Sequence, residues 1–192
     1  MNISIPSFGK NIPIAQCKVQ DKTTKQFEPV TIYTADCRDL SDISEIEDLP
    51  NFWHYKHIIA AGMDLKNNQI EASGEDDDRT FYLLKDKSGA ILGISETEEV
   101  DDGIHNINFI ETNSAKRYVG QVLIAAIGQD IINKHGDALI ITDPVEPAFD
   151  FYTETCGFEE DSDYLKMNVE QINQFIEQTE NRTKSIFLDI RG

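Results

Sequence analysis

One helical stripe constrains this chain more than any other feature. Gly120, Leu123, Ile124, Ile127 and Ile131 fall at offsets 0, 3, 4, 7 and 11, the spacing that aligns residues along one buried face of an α-helix. Before it runs Ile104–Thr112, an extended segment ending in Asn113-Ser114, a helix-entry signal. After it, Gly136 follows His135 and is expected to stop the helix. Ala138–Thr142 is then a short apolar run of the kind found in the middle of a sheet. Strand, helix and strand must therefore share one core.

The remaining segments arrange themselves around that unit. A polar turn over 21–26 separates a candidate strand at 14–19 from a β-branched strand at 29–33. Asp39 or Ser41 can cap a helix that Pro50 stops, and 53–70 predicts a second, with Trp53, Ile58, Ala61 and Leu65 near one face. Strands at 80–84 and 90–95 flank turn residues and predict a hairpin. In Ile104–Thr112, simple alternation puts Ile104, Asn106, Asn108 and Ile110 on one face and Ile107 and Phe109 on the other. A short helix over 147–156, a strand at Tyr164–Asn168 and an amphipathic helix over 169–178 close the chain. The expected class is α/β, a central mixed, mostly antiparallel sheet flanked by helices. Residues 1–28 read as an N-terminal extension, 29–168 as the single main domain, and 169–192 as a C-terminal helix and tail.

Composition narrows the function. At 192 residues, 40% hydrophobic and 27% charged, the chain can bury a core without staples. Its net charge of −18 would repel a phosphate backbone, so no nucleic-acid partner is expected. Cys17, Cys37 and Cys156 are odd in number and widely spaced, which suits a reducing, cytoplasmic setting rather than a disulfide framework. His54 and His57 lack further ligands nearby, so no metal is expected. The first residues contain Pro6, Gly9 and Pro13 and do not form a signal peptide, and the longest strongly apolar run, 122–127, is too short to span a membrane. Acidity is clustered: eleven carboxylates lie between Glu71 and Asp102 against three bases. They read either as solvated loops or as a rim that attracts a cationic substrate.

Lys116, Arg117 and Gly120 sit where the long helix begins. Unpaired first-turn amides, the helix dipole and two cations form an anion site, and glycine lets a phosphate approach the backbone. The same residues could equally be exposed bases beside a packing glycine. Further on stands Phe151-Tyr152-Thr153-Glu154-Thr155-Cys156-Gly157-Phe158, preceded by Pro147-Ala148.

In element order and in these residues the chain resembles the GNAT acetyltransferase superfamily. That family carries an acetyl-CoA loop of pattern Q/R-x-x-G-x-G/A before a long helix, then a strand and an F-Y-x-x-x-G-F type signature matched here by Phe151, Tyr152, Gly157 and Phe158. The helix stripe sets Gly120 at the last G/A position, Tyr118 at the first glycine and Ala115 at the leading Q/R. A frame shifted by two would make Gly120 the first glycine, with Arg117 leading and Val122 at the second. The resemblance implies acetyl-CoA as co-substrate and direct transfer to an amine in a ternary complex. The backbone of Ile110 to Thr112 would pair with the pantetheine arm, and the amides of Lys116, Arg117, Tyr118, Val119, Gly120 and Gln121 would cradle the pyrophosphate. Tyr152 sits where a general acid for the departing thiolate is often found, or is a core tyrosine between Phe151 and Phe158. Glu111 leads His105 and Glu96 as candidate general base. Cys156 has no histidine partner motif, so a covalent cysteine route is not expected. The acceptor is an amine, with polycations favoured by the acidity. Two other readings are a GNAT-shaped module that holds acyl-CoA or a protein without turnover, and an interaction protein whose termini dock on a partner or form a homodimer.

Overall fold

The computed structural model describes residues 12–35, 79–185 and 187. The helices expected over 39–49 and 53–70 lie outside the described residues. The described strands are β1 (Ile12–Asp21), β2 (Phe27–Ala35), β3 (Arg79–Asp86), β4 (Ile91–Asp101), β5 (Ile104–Thr112), β6 (Lys116–Arg117), β7 (Ala138–Thr142), β8 (Glu159–Asp161) and β9 (Tyr164–Asn168). They form one sheet in the order β6-β1-β2-β3-β4-β5-β7-β9-β8. Every described pairing is antiparallel except β5 with β7. The architecture is α/β with a mixed, mostly antiparallel sheet, as the sequence predicts.

Among the described residues two α-helices pack on one face of the sheet, α1 (Val119–Asn133) and α2 (Val169–Thr183). The stripe of α1 meets the sheet: Leu123, Ile124 and Ile127 are fully buried in the same cluster as Ile32, Tyr82 and Leu84. Asp130 is also buried on this helix, held by the Tyr82 hydroxyl at 2.9 Å and the Lys134 ammonium at 2.9 Å. A buried carboxylate is tolerable only when so paired. α2 begins at a capping box: Asn168 accepts from the Gln171 N–H, and the Gln171 side chain accepts from the Asn168 N–H. α1 and α2 meet at Gly128, where a Cβ would stand 2.5 Å from Ile172 Cγ2, so only glycine allows this approach.

Several details differ from what the sequence predicts. Ile12–Asp21, within the segment expected as an extension, form β1, which is hydrogen-bonded to β2 along its length. The final segment is tied to the same strand. Ser185 Oγ accepts from the Lys18 N–H at 2.8 Å, and Phe187 is buried in the shared core. Gly136 is not the left-handed stop of α1; His135 takes that conformation at φ 66°. Simple alternation also fails in β5. Its pairing with β4 jumps from Glu96↔Phe109 to Thr97↔Ile107, leaving Asn108 as the extra residue of a bulge. Ile107 therefore shares the core face with Ile110, while Phe109 points to the other side and meets Phe81 at 6.4 Å. No helix among the described residues is long and apolar enough to cross a membrane.

Candidate active site

The bulge sits where β5 and β7 part. Their pairing covers only Ile104↔Ala138, His105↔Leu139 and Asn106↔Ile140. Beyond Asn106 the strands diverge and, among the described residues, β5 keeps a neighbour on one side only. The Asn113 N–H donates to the Leu92 carbonyl at 2.8 Å, which directs the peptide groups of Asn113 and Glu111 toward β4. By the alternation of an antiparallel ladder, the N–H and C=O of Ile110 and Thr112 face the opposite way, into the opening. They present a strand edge inside the sheet.

The opening leads to the start of α1. Among the described residues no side chain caps that helix, and its first turn holds no acid, which leaves the leading amides available. The residue entering the helix is Tyr118, at φ 69°, a left-handed conformation uncommon for a non-glycine residue. Its ring stacks on Phe27, with centroids 6.2 Å apart and planes 6° from parallel. Gly120 is not among the positive-φ residues. Its need is spatial, since a Cβ there would stand 3.0 Å from Phe151.

Just upstream, β6 pairs with β1 through Gln20↔Arg117 and Asp21↔Lys116. The Lys116 ammonium bonds Glu28 at 2.6 Å and Asp21 at 2.9 Å. Those two carboxylates raise its pKa, Glu28 most. Asp21 is held well below the usual carboxylate range, first by the Thr24 N–H and then by Lys116. Lys116 is thus engaged within the protein. The pocket's other cations are Arg117 and Lys22, the latter from the β1–β2 turn. Nothing local in the sequence marks Lys22 as a site residue, because only the β1–β6 pairing brings it to this loop.

A cavity of about 470 Å³ joins these parts. Of the residues read from the sequence as acetyl-CoA contacts, Ile110, Thr112 and Lys116 to Gln121 line it, as do Tyr152, Ala148, Phe151 and Lys22. Tyr152 stands in a π-helical turn, Phe151–Cys156, that follows a 3-10 turn at Glu146–Ala148. Four residues separate Tyr152 from Gly157 where the family pattern has three, and the wider π turn accommodates the extra one. Gly157 closes it at φ 84°. Tyr152 packs edge-on against Phe151 and Phe158 at 5.4 and 6.0 Å. Burial, with a smaller contribution from Cys156, pushes its phenol up to about 12. Burial likewise pushes the Cys156 thiol up, which disfavours a thiolate there.

The base candidates lie elsewhere. Glu111 does not line the cavity; between Ile110 and Thr112 it faces the other side of the sheet, opposite Ile94. Glu96 is buried on that same side and accepts from Asn108 Nδ2 at 2.8 Å. His105 lies at the far end of β5, roughly 15 Å along the strand from Ile110. Burial, the larger influence, lowers its pKa.

No sequence-family profile and no curated protein matches this chain. Solved structures do. Mutant forms of the spermidine/spermine N-acetyltransferase SpeG from Vibrio cholerae match with a TM-score of 0.52 at 15% identity, over 76% of this chain and 98% of theirs. An acetyltransferase described as of the GNAT family, from Desulfovibrio desulfuricans, matches with a TM-score of 0.52 at 12% identity, over 73% and 99%. The likeness runs through nearly the whole of each neighbour. The fold of this chain is that of the GNAT acetyltransferases.

Proposed function

We propose that the chain is an acetyl-CoA-dependent N-acetyltransferase that acylates a primary amine of a small molecule or peptide by direct transfer in a ternary complex. The observation that carries this reading is one cavity lined by an open strand edge, an uncapped helix start and a buried phenol. A diphosphate fits the first-turn amides, with Lys22 and Arg117 beside them. An extended amide-bearing arm fits the edge at Ile110 and Thr112 as an added strand. The thioester supplies the acyl group and a thiolate leaving group. Tyr152, with a pKa of about 12, keeps its proton through the neutral range and can donate it at the sulfur. Glu111, on the other face of the same strand, is the carboxylate proposed to take the amine's proton.

Acetyl-CoA at a hundred times its Kd should stabilise the protein by about 2.7 kcal/mol, or roughly 5–10 °C in Tm for a chain of this size. Thiol release with a panel of amines then tests turnover. A melting temperature that acetyl-CoA leaves unchanged removes the proposal. A shift with no thiol release favours the second reading, a GNAT-shaped module that holds acyl-CoA without turnover, to which Tyr118 in the phosphate loop lends support.

The acceptor is proposed to be polycationic. The net charge of −18 favours this. The SpeG neighbours are, by name, spermidine/spermine N-acetyltransferases. Exposed Asp101 and Asp102 lie at the far hairpin end, so they contribute less than the sequence alone suggests. With donor saturating, kcat/KM for a polyamine should fall severalfold as the Debye length shrinks from about 10 Å at 0.1 M salt to about 3 Å at 1 M. A flat profile, or a better anionic acceptor, would make the acidity a matter of solubility.

A further inference from the structure

We propose that Asn106 is a positioning residue that keeps the slot between β5 and β7 open, so that its side chain, and not the binding loop, sets affinity for the arm of the acyl carrier. This rests on the functional reading above. The β5–β7 ladder ends at Asn106↔Ile140. Two residues on, Thr142 carries the next β7 amide directed at β5. That N–H does not continue the ladder; it donates to Asn106 Oδ1 at 3.1 Å, and the Thr142 hydroxyl donates to the same oxygen at 3.3 Å. One side-chain oxygen thus takes the place of a backbone carbonyl on β5.

The carboxamide is fixed in that sense from both ends. A backbone N–H can only donate, so Asn106 must present its oxygen to Thr142. Its Nδ2 then donates to Asn108 Oδ1 at 2.6 Å, and Asn108 Nδ2 donates to Glu96 at 2.8 Å and to Glu98 at 3.3 Å. The chain of bonds ends on carboxylates, which only accept when ionised. Asn108 is the extra residue of the bulge, so one network ties three devices: the end of the β5–β7 ladder, the kink in β5 and the buried Glu96. Asn106 is itself buried, at 6% exposure. Without it the Thr142 N–H would seek the β5 backbone, the ladder would close by a step, and the edge at Ile110 would lose the room an added strand needs.

The test compares two ligands by calorimetry on the full chain: acetyl-CoA, and 3′-phosphoadenosine 5′-diphosphate, which has the phosphates and lacks the arm. Asn106→Ala should weaken acetyl-CoA about tenfold or more and leave the armless nucleotide within about twofold. Asn108→Ala, at an exposed position, cuts the same network and should give the same split if Asn106→Ala does not fold. Asn106→Asp keeps the acceptor for Thr142 and should retain more of the acetyl-CoA affinity than alanine. Equal loss for both ligands, or no loss for either, overturns the inference while leaving the proposed function intact. Wild-type protein that binds neither ligand overturns the proposed function as well.

Discussion

Phenylalanine in place of Tyr152 is expected to lower kcat roughly 10- to 100-fold and to leave acetyl-CoA affinity nearly unchanged. The substitution keeps the ring, so its edge contacts with Phe151 and Phe158 survive. No hydrogen bond to the Tyr152 hydroxyl is found among the described residues, so folding loses little with the oxygen. What disappears is a proton donor facing the cavity. Its pKa, raised by burial from the usual 10.0 to about 12, has two consequences. The phenol stays protonated across the assay range, so Tyr152 should give kcat no alkaline limb below about pH 11. The raised value also favours the folded state only below the unfolded pKa, and that advantage is lost as pH rises from about 10 toward 12. Equal turnover by both proteins would return Tyr152 to a purely packing role, and a tyrosine-dependent fall in kcat near pH 9 would contradict the buried environment.

The legible parts of this protein are those encoded locally. The α1 stripe, β5, β7 and β9 are each marked by apolar periodicity within a few residues and by flanking Asn, Gly or polar turns. The cavity residues follow because the loop and the helix start are contiguous in sequence. What stays hidden is what long-range pairing creates. Lys116 reads as a free cation until Asp21 and Glu28, each more than eighty residues away, are folded against it. Lys22 reads as a turn residue until β6 joins β1. The bulge at Asn108 has no local signature, since asparagine alternates as well as any polar residue, and without it alternation puts Ile107 on the wrong face. His135 takes the left-handed position in place of the expected glycine because histidine, like asparagine, tolerates that conformation more readily than bulky residues do. Glu111 is a candidate by type and by strand, yet parity turns it away from the cavity that its neighbours line.

Charge reversal at both Lys22 and Arg117 is expected to weaken acetyl-CoA binding roughly 100-fold, as two nearly independent steps of about tenfold each. These are the pocket cations with no ion pair among the described residues, and each reversal places an anion beside the open amides of α1. Lys116 should behave differently. Its ammonium neutralises Asp21 and Glu28, so Lys116→Met would leave two uncompensated carboxylates beneath the phosphate loop. Affinity should fall through repulsion, without loss of any contact to the ligand. Adding Asp21→Asn and Glu28→Gln to that variant removes the repulsion. The carboxamide introduced by Asp21→Asn still offers an oxygen to the Thr23 and Thr24 N–H groups that shape the turn. The triple variant should therefore recover most of the lost affinity, measured by calorimetry at fixed low salt. Affinity that stays low in the triple variant would mean that Lys116 touches the phosphates directly. Unchanged binding after reversal of Lys22 and Arg117 would take this loop out of the site altogether.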